Sequence, residues 1–117
     1  MNVQSREVWA TAQLEGWHRW PAAPDHRDYL AVRHRHLFHV AVTVPVGHDH
    51  RDVEFHDLRD TVLSCWQPEW GARSCEAIAQ HVAGAVYDDH RVATCTVTVA
   101  EDGECGATIV TTREVPE

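Results

Sequence analysis

Three histidines in the first third of the chain have the spacing of a metal site. His34 and His36 stand two residues apart at the head of the β-forming run HRHLFHVAVTVP. Because side chains on a strand alternate between its faces, both imidazoles lie on the same side. His18 ends an earlier alternating stretch, and a hairpin-like return brings it near them. Three neutral imidazoles with one open position are typical of catalytic zinc, so we predict Zn²⁺ bound by His18, His34 and His36.

A second histidine motif competes for this role. The run HDHRDVE, from His48 to Glu54, matches the first half of the ligand pattern of cupin barrels. A cupin needs many strands, whereas a helical pattern begins directly after this run, so we interpret it as a solvated acidic turn. An H-x-H motif is also short, and the chain has ten histidines. The alternative to a metal site is therefore a His-rich structural or interaction module.

The hydrophobic pattern predicts six elements in the order β, β, α, α, β, β. The strands are Glu7 to His18, the histidine-rich run to about Pro45, Ala93 to Ala100, and Ala107 to Thr112. The helices are about His56 to Trp66, and an apolar stripe from Cys75 to Val86 with Ser74 as its N-cap. An Asp-Gly pair joins the last two strands as a hairpin. These elements predict an α+β fold, with a four-stranded, mainly antiparallel sheet and both helices on one face.

Composition limits the classes of partner and compartment. A length of 117 residues predicts one domain, covering residues 1–117. The formal net charge of −8 argues against nucleic-acid binding, which relies on Lys and Arg. No stretch approaches the roughly 18 apolar residues of a membrane span. The start of the chain lacks an apolar export signal and the four cysteines lack C-x-x-C pairing, so we expect reduced thiols in a cytoplasmic protein.

The order of these motifs resembles the 6-pyruvoyl-tetrahydropterin synthase and 6-carboxy-tetrahydropterin synthase family, which adopts the tunnelling fold, or T-fold. That family has a histidine at the end of its first strand and an H-G-H at the start of its second, matched here by EGWHRW and HRHLFHVAVTV. Smaller likenesses follow in DVEFHDLRD, ARSCEAIAQHV and TVTVAEDGECGATI. The resemblance implies a zinc-dependent lyase that acts on 7,8-dihydroneopterin triphosphate in pterin or 7-deazaguanine synthesis.

The resemblance also implies a ligand anchor and an assembly. Glu101 matches the family glutamate that anchors the pterin ring and does not bind the metal. Joining of sheet edges would place Glu101 at a subunit boundary, facing a neighbour's zinc site. Exposed sheet edges predict a homo-oligomer from the pattern alone. The resemblance implies trimers whose sheets join into a barrel, with two trimers stacking into a hexamer.

The family's proton-transfer residues have no match here. Its catalytic cysteine lies four residues before H-G-H, where this chain has Leu30, and the segment QPEWGAR lacks the family's Asp-His pair. Asp28 and His26, in the loop that would carry the cysteine, are the candidates to replace it. Cys75, on a helical stripe, is expected to pack as a small apolar residue. The alternative function is a non-catalytic T-fold oligomer that binds zinc and a pterin- or purine-like ligand.

Overall fold

The computed structural model describes residues 1–115, so the last two residues of the predicted domain, 116 and 117, lie outside the described residues. Within this range the elements are β1 (Glu7–His18), a 3₁₀ helix (Asp25–Ala31), β2 (His34–Pro45), α1 (Phe55–Cys65), β3 (Glu69–Gly71), α2 (Cys75–Asp89), β4 (Thr94–Glu101) and β5 (Cys105–Thr112). The predicted α+β class and the order of its six long elements are confirmed.

The strands form one sheet in the order β3-β1-β2-β4-β5. The four long strands pair antiparallel with their neighbours, as predicted, and the short β3 lies parallel to the end of β1. The sequence analysis missed β3 because three residues are too few to show alternation. This strand matters for the site, since the Trp17 and Arg19 amides donate to the carbonyls of Pro68 and Gly71, each at 2.9 Å. These bonds fix the end of β1.

The apolar core lies between the sheet and the two helices, which cover one face of it. Alternate residues of the strands point into this core, among them Ala12, Phe38, Val40, Val42, Val97 and Val99. The helices contribute Leu58, Val62, Ile78, Val82 and Val86. Full burial of such a side chain contributes about 1.5–3 kcal/mol, so this layer is the main source of stability. The other face of the sheet carries no helix from the part of the chain that the structure describes.

Both helices begin at a side-chain cap. The Ser74 hydroxyl accepts the Ala77 amide at 3.2 Å, which confirms the predicted N-cap of α2. The Glu54 carboxylate caps α1 by accepting the amides of His56 and Asp57, at 2.7 and 3.1 Å. Each cap satisfies amides that have no partner within the helix. Among residues 1–115, no helix has the length and apolar character needed to cross a membrane.

A tight turn joins β4 to β5. Asp102 and Gly103 both have positive φ, of 56° and 72°, and the Glu104 amide donates to the Glu101 carbonyl at 3.0 Å. Two successive positive φ values are those of a type I′ turn, which fits the twist of a hairpin. The turn predicted from the Asp-Gly pair is confirmed. It holds Glu101 at the end of β4, at the same end of the sheet as the histidines.

Candidate metal centre

The three predicted histidines come together at one end of the sheet. His18 ends β1 and pairs in register with His34, the first residue of β2, while His36 pairs with Gly16. The ring centroids lie 4.6 Å apart for His18 and His34, 5.3 Å for His18 and His36, and 4.9 Å for His34 and His36. The alternation of two neighbouring strands is thus enough to build the cluster that the sequence predicted.

Glu101 is the fourth member of this cluster. Its Oε2 lies 3.3 Å from Nε2 of His18 and 2.8 Å from Nε2 of His36. One ligand atom from each of Glu101 and the three histidines can be chosen so that all lie within 4.8 Å of one another. Glu101 thus lies beside the histidines of its own chain, and its place facing a neighbour's zinc site stays a prediction. The register of β4 on β2, which pairs Glu101 with Phe38, directs the carboxylate to its own histidines.

The Nδ1 atom of each ring faces an oxygen atom. Nδ1 of His18 lies 2.9 Å from the Arg73 carbonyl, and Nδ1 of His34 lies 2.8 Å from the Val32 carbonyl. Nδ1 of His36 lies 2.7 Å from Oδ2 of Asp102. Carbonyl and carboxylate oxygens only accept, so the proton of each neutral ring belongs on Nδ1. The lone pair of each ring is then on Nε2, which is the arrangement typical of metal-binding histidines.

The Nε2 atoms lack ordinary hydrogen bonds. Although Glu101 lies close, its carboxylate does not meet hydrogen-bond geometry, and Nε2 of His18 and His36 are buried without a partner among residues 1–115. Glu101 is therefore near both nitrogen atoms without satisfying either of them. His18 is only 8% exposed. An unpaired buried polar atom costs about 1–3 kcal/mol, a cost that coordination to a cation removes. The cluster can bind a metal ion.

A cavity of about 530 Å³ lies beside the cluster. Its lining includes His18, His34 and Glu101, together with Leu30, Cys75 and Cys105. Small-molecule sites usually have volumes of about 300–1,000 Å³. The cavity is therefore large enough for a two-ring heterocycle placed next to the metal cluster.

Two thiols in this cavity were not predicted as site residues. Burial, and secondarily the charge of Glu101, raises the pKa of the Cys75 thiol to about 12, so this group stays protonated at neutral pH. Cys75 is buried, as its place on the apolar stripe predicted, yet it also lines the cavity. Cys105 is exposed and pairs with Glu101 across the hairpin. The sequence could have indicated Cys105 as a site residue, because the predicted Asp-Gly hairpin places it opposite Glu101.

The two candidate proton-transfer residues lie elsewhere. Asp28 and His26 are exposed on the 3₁₀ helix, and neither is among the cavity-lining residues of the described chain. Leu30, which stands where the family has its cysteine, does line the cavity. The structure therefore brings together the predicted metal ligands and Glu101, but it does not bring Asp28 and His26 to them. Their role stays a prediction.

The competing histidine motif does not assemble a metal site. His48 and His50 are exposed, and Glu54 is engaged in capping α1. Asp52 accepts the Gly47 amide at 2.8 Å, which closes the turn. Within residues 1–115, the only group of three or more potential ligands that comes together is the one formed by the three histidines and Glu101.

Comparison with known proteins gives a match in fold. No protein-family model matches the chain, and no curated protein matches its sequence. A solved structure does match: the dihydroneopterin aldolase from Burkholderia thailendensis, bound to guanine. It is 14% identical, the match covers 94% of this chain and 93% of the aldolase, and the TM-score is 0.50. At this identity the likeness shows the fold alone, and the α+β architecture is that of a T-fold.

Proposed function

We propose that this chain is a zinc-dependent lyase similar to the 6-pyruvoyl- and 6-carboxy-tetrahydropterin synthases, acting on 7,8-dihydroneopterin triphosphate in pterin or 7-deazaguanine synthesis. The observation that carries the proposal is the convergence of three histidines, each with Nδ1 on an oxygen, whose ligand atoms can be chosen within 4.8 Å of one another and of Glu101. The T-fold relative supports the ligand class, since it was solved with guanine, which shares an aminopyrimidinone ring with pterins.

The donor set favours zinc. Three neutral imidazoles form a common zinc site, and a carboxylate or a substrate oxygen is an ordinary fourth ligand. His18, His34 and His36 would hold the ion. When bound, zinc supplies a Lewis acid that polarises a substrate oxygen and lowers the pKa of a coordinated hydroxyl.

Glu101 and the cavity would position the substrate. The Glu101 carboxylate can accept hydrogen bonds from ring N–H groups, and a charged acceptor forms the stronger class of such bonds. The aliphatic side chain of Leu30 lines the same cavity and would exclude water from one side of the ligand. Glu101 is the residue on which recognition of the ring depends in this proposal.

Proton transfer needs a group within hydrogen-bond reach of the substrate. Asp28 and His26 remain proposed for this role, although both are exposed outside the cavity lining. The cavity itself offers the thiol of Cys105, beside Glu101, and the protonated thiol of Cys75. We place Cys105 ahead of Asp28 and His26 as the proton-transfer group, because it already lies next to the ligand site.

We propose a homo-oligomer in the cytoplasm. All four cysteines are free thiols, which accords with a reducing compartment. The proposed assembly is a trimer, or a hexamer of two trimers, in which sheets join edge to edge. Support for this assembly comes from large apolar side chains that the sheet leaves exposed, such as Trp9 and Val110.

A metal measurement and a turnover assay test this function together. Purified protein should hold about one zinc per chain and convert 7,8-dihydroneopterin triphosphate with release of triphosphate. His36→Ala should lose the zinc and the activity. The matched control is His50→Ala, because His50 is exposed in the loop after β2 and lies outside the cluster. Protein without transition metal after gentle purification, or equal zinc in both variants, would contradict the proposal.

A non-catalytic zinc-binding T-fold oligomer is the second candidate. Leu30 at the position of the family cysteine favours it, because a leucine cannot transfer a proton. In that case calorimetry would detect binding of neopterin or a guanine analogue, while the substrate would stay unchanged over time. The Cys105→Ser variant separates the two candidates further, since its loss of turnover with retained binding is expected only of an enzyme.

A further inference from the structure

Asp102 holds the side of His36 that faces away from the proposed metal. Its Oδ2 lies 2.7 Å from Nδ1 of His36, and its Oδ1 accepts the Leu37 amide at 3.0 Å. The Asp102 amide in turn donates to the Leu37 carbonyl at 2.9 Å. The hairpin turn is thus fastened to β2 at the residue that follows His36, and both carboxylate oxygens of Asp102 have fixed partners.

The backbone at Asp102 is suited to this role. Its φ of 56° lies in the left-handed region, which Asp and Asn tolerate better than other side chains with a Cβ. Gly103 takes the second left-handed position of the turn. An aspartate carboxyl is ionised at neutral pH, so the Asp102 side chain presents an anion to the ring of His36.

The hydrogen-bond partner at Nδ1 is a side-chain carboxylate for His36 but a backbone carbonyl for His18 and His34. The rings of His18 and His34 face backbone carbonyls, which a side-chain substitution does not remove. The ring of His36 faces a charged side chain. An anionic acceptor raises the basicity of the opposite ring nitrogen more than a neutral carbonyl does, and such outer partners contribute to metal affinity.

We infer that Asp102 is a positioning residue that fixes the Nδ1–H form of His36 and thereby sets the metal affinity of the cluster. This inference rests on the proposed metal site and deepens it. Asp102 does not contact the ion; it acts through His36, whose Nε2 stays free of a proton. Removal of such an outer partner lowers metal affinity by about 10–100-fold in known sites.

The Asp102→Asn variant tests this inference with little change in shape. Asn tolerates the left-handed backbone, but its side chain offers one acceptor and one donor. The Leu37 amide is a fixed donor and should retain the Asn oxygen, which leaves the NH₂ group facing Nδ1 of His36. The ring would then carry its proton on Nε2, where it blocks coordination. Asp102→Ala removes the partner altogether, and Glu104→Gln, which lowers the charge of the same turn without contacting His36, is the matched control.

Two measurements decide the outcome. Competition with a chromophoric chelator should show zinc affinity about 10–100-fold weaker for Asp102→Asn and unchanged for Glu104→Gln. Nitrogen NMR of the metal-free proteins should show His36 as the Nδ1–H form in the wild type and as the Nε2–H form in Asp102→Asn, with similar melting temperatures. A wild type that binds zinc and an Asp102→Asn variant that binds it equally well would overturn this inference alone. A wild type that binds no zinc would overturn the proposed function and this inference with it.

Discussion

At the scale of single residues, the cluster brings imidazole nitrogens and a carboxylate close together without hydrogen bonds between them, an arrangement that a bound cation would stabilise. Oε2 of Glu101 lies 3.3 Å from Nε2 of His18 and 2.8 Å from Nε2 of His36, yet neither nitrogen has a hydrogen-bond partner within residues 1–115. Buried polar groups are nearly always paired, and exceptions often mark an ion or a reactive site. The chemistry of the proposed function is concentrated in these few atoms.

Glu101→Ala separates ring recognition from metal binding. If Glu101 anchors the ring, affinity for neopterin or a guanine analogue should fall at least tenfold, which corresponds to about 1.4 kcal/mol. Zinc content should stay near one per chain, because three histidines suffice to hold the ion. Calorimetry and metal analysis on both proteins measure these quantities. Equal ligand affinities would remove Glu101 from ring recognition, and a loss of zinc would make it a fourth metal ligand instead.

At the scale of elements, patterns that span many residues could be predicted and short ones could not. The bounds of β1, Glu7–His18, agree with the alternation of its sequence, and α2 begins after Ser74 as its cap predicted. The three-residue β3 and the 3₁₀ helix have no such repeat. The histidine cluster followed from strand alternation. The position of Glu101 did not, because the register between strands distant in sequence is set by packing, which alternation alone does not reveal.

Two glycines, Gly106 on β5 and Gly84 in α2, differ in the space around them. A Cβ added at Gly106 would lie 2.1 Å from the Val99 carbonyl oxygen, whereas a Cβ at Gly84 would meet nothing within 4 Å. Gly106→Ala should therefore destabilise the protein by at least about 1–3 kcal/mol, the usual cost of overpacking. Gly84→Ala, at an exposed position in α2, should stabilise it by about 0.5–1 kcal/mol. Urea unfolding measures both, and equal stabilities would contradict the close approach at Gly106.

The cap of α1 predicts a dependence of stability on pH. The hydrogen bond with His56, and then those from the amides of Asp57 and His56, lower the pKa of Glu54 below its usual value. The ionised cap thus stabilises the fold above the unfolded-state pKa of about 4.3, and this stabilisation is lost as pH falls through the lower folded-state pKa. Urea midpoints of wild type and Glu54→Gln should differ at about pH 6 and converge toward about pH 3. A difference that stays constant with pH would show that Glu54 does not act through its charge.

At the scale of the whole molecule, the sheet face without helices ends in apolar residues at both sides. Trp9 on β1 pairs with Thr43, Thr43 with Thr96, and Thr96 with Val110 on β5, so all four lie in one row across the sheet. The end members are 65% and 67% exposed. A contact between β1 of one subunit and β5 of the next would cover both of them. Such a contact joins two different surfaces, and it forms a ring when the rotation closes.

Val110→Lys tests this assembly directly. A lysine on an edge strand opposes pairing with another strand, because burial of its charge is costly. We expect the wild type to have a mass that is a multiple of the 13.2 kDa chain, and Val110→Lys to shift toward the monomer. The matched control is Val32→Lys, since Val32 is 68% exposed but lies outside the strands. Light scattering at micromolar concentration measures the masses, with circular dichroism to verify folding. A monomeric wild type would refute the oligomer. An unchanged mass of the Val110→Lys variant would show that the subunit contact does not involve this part of β5.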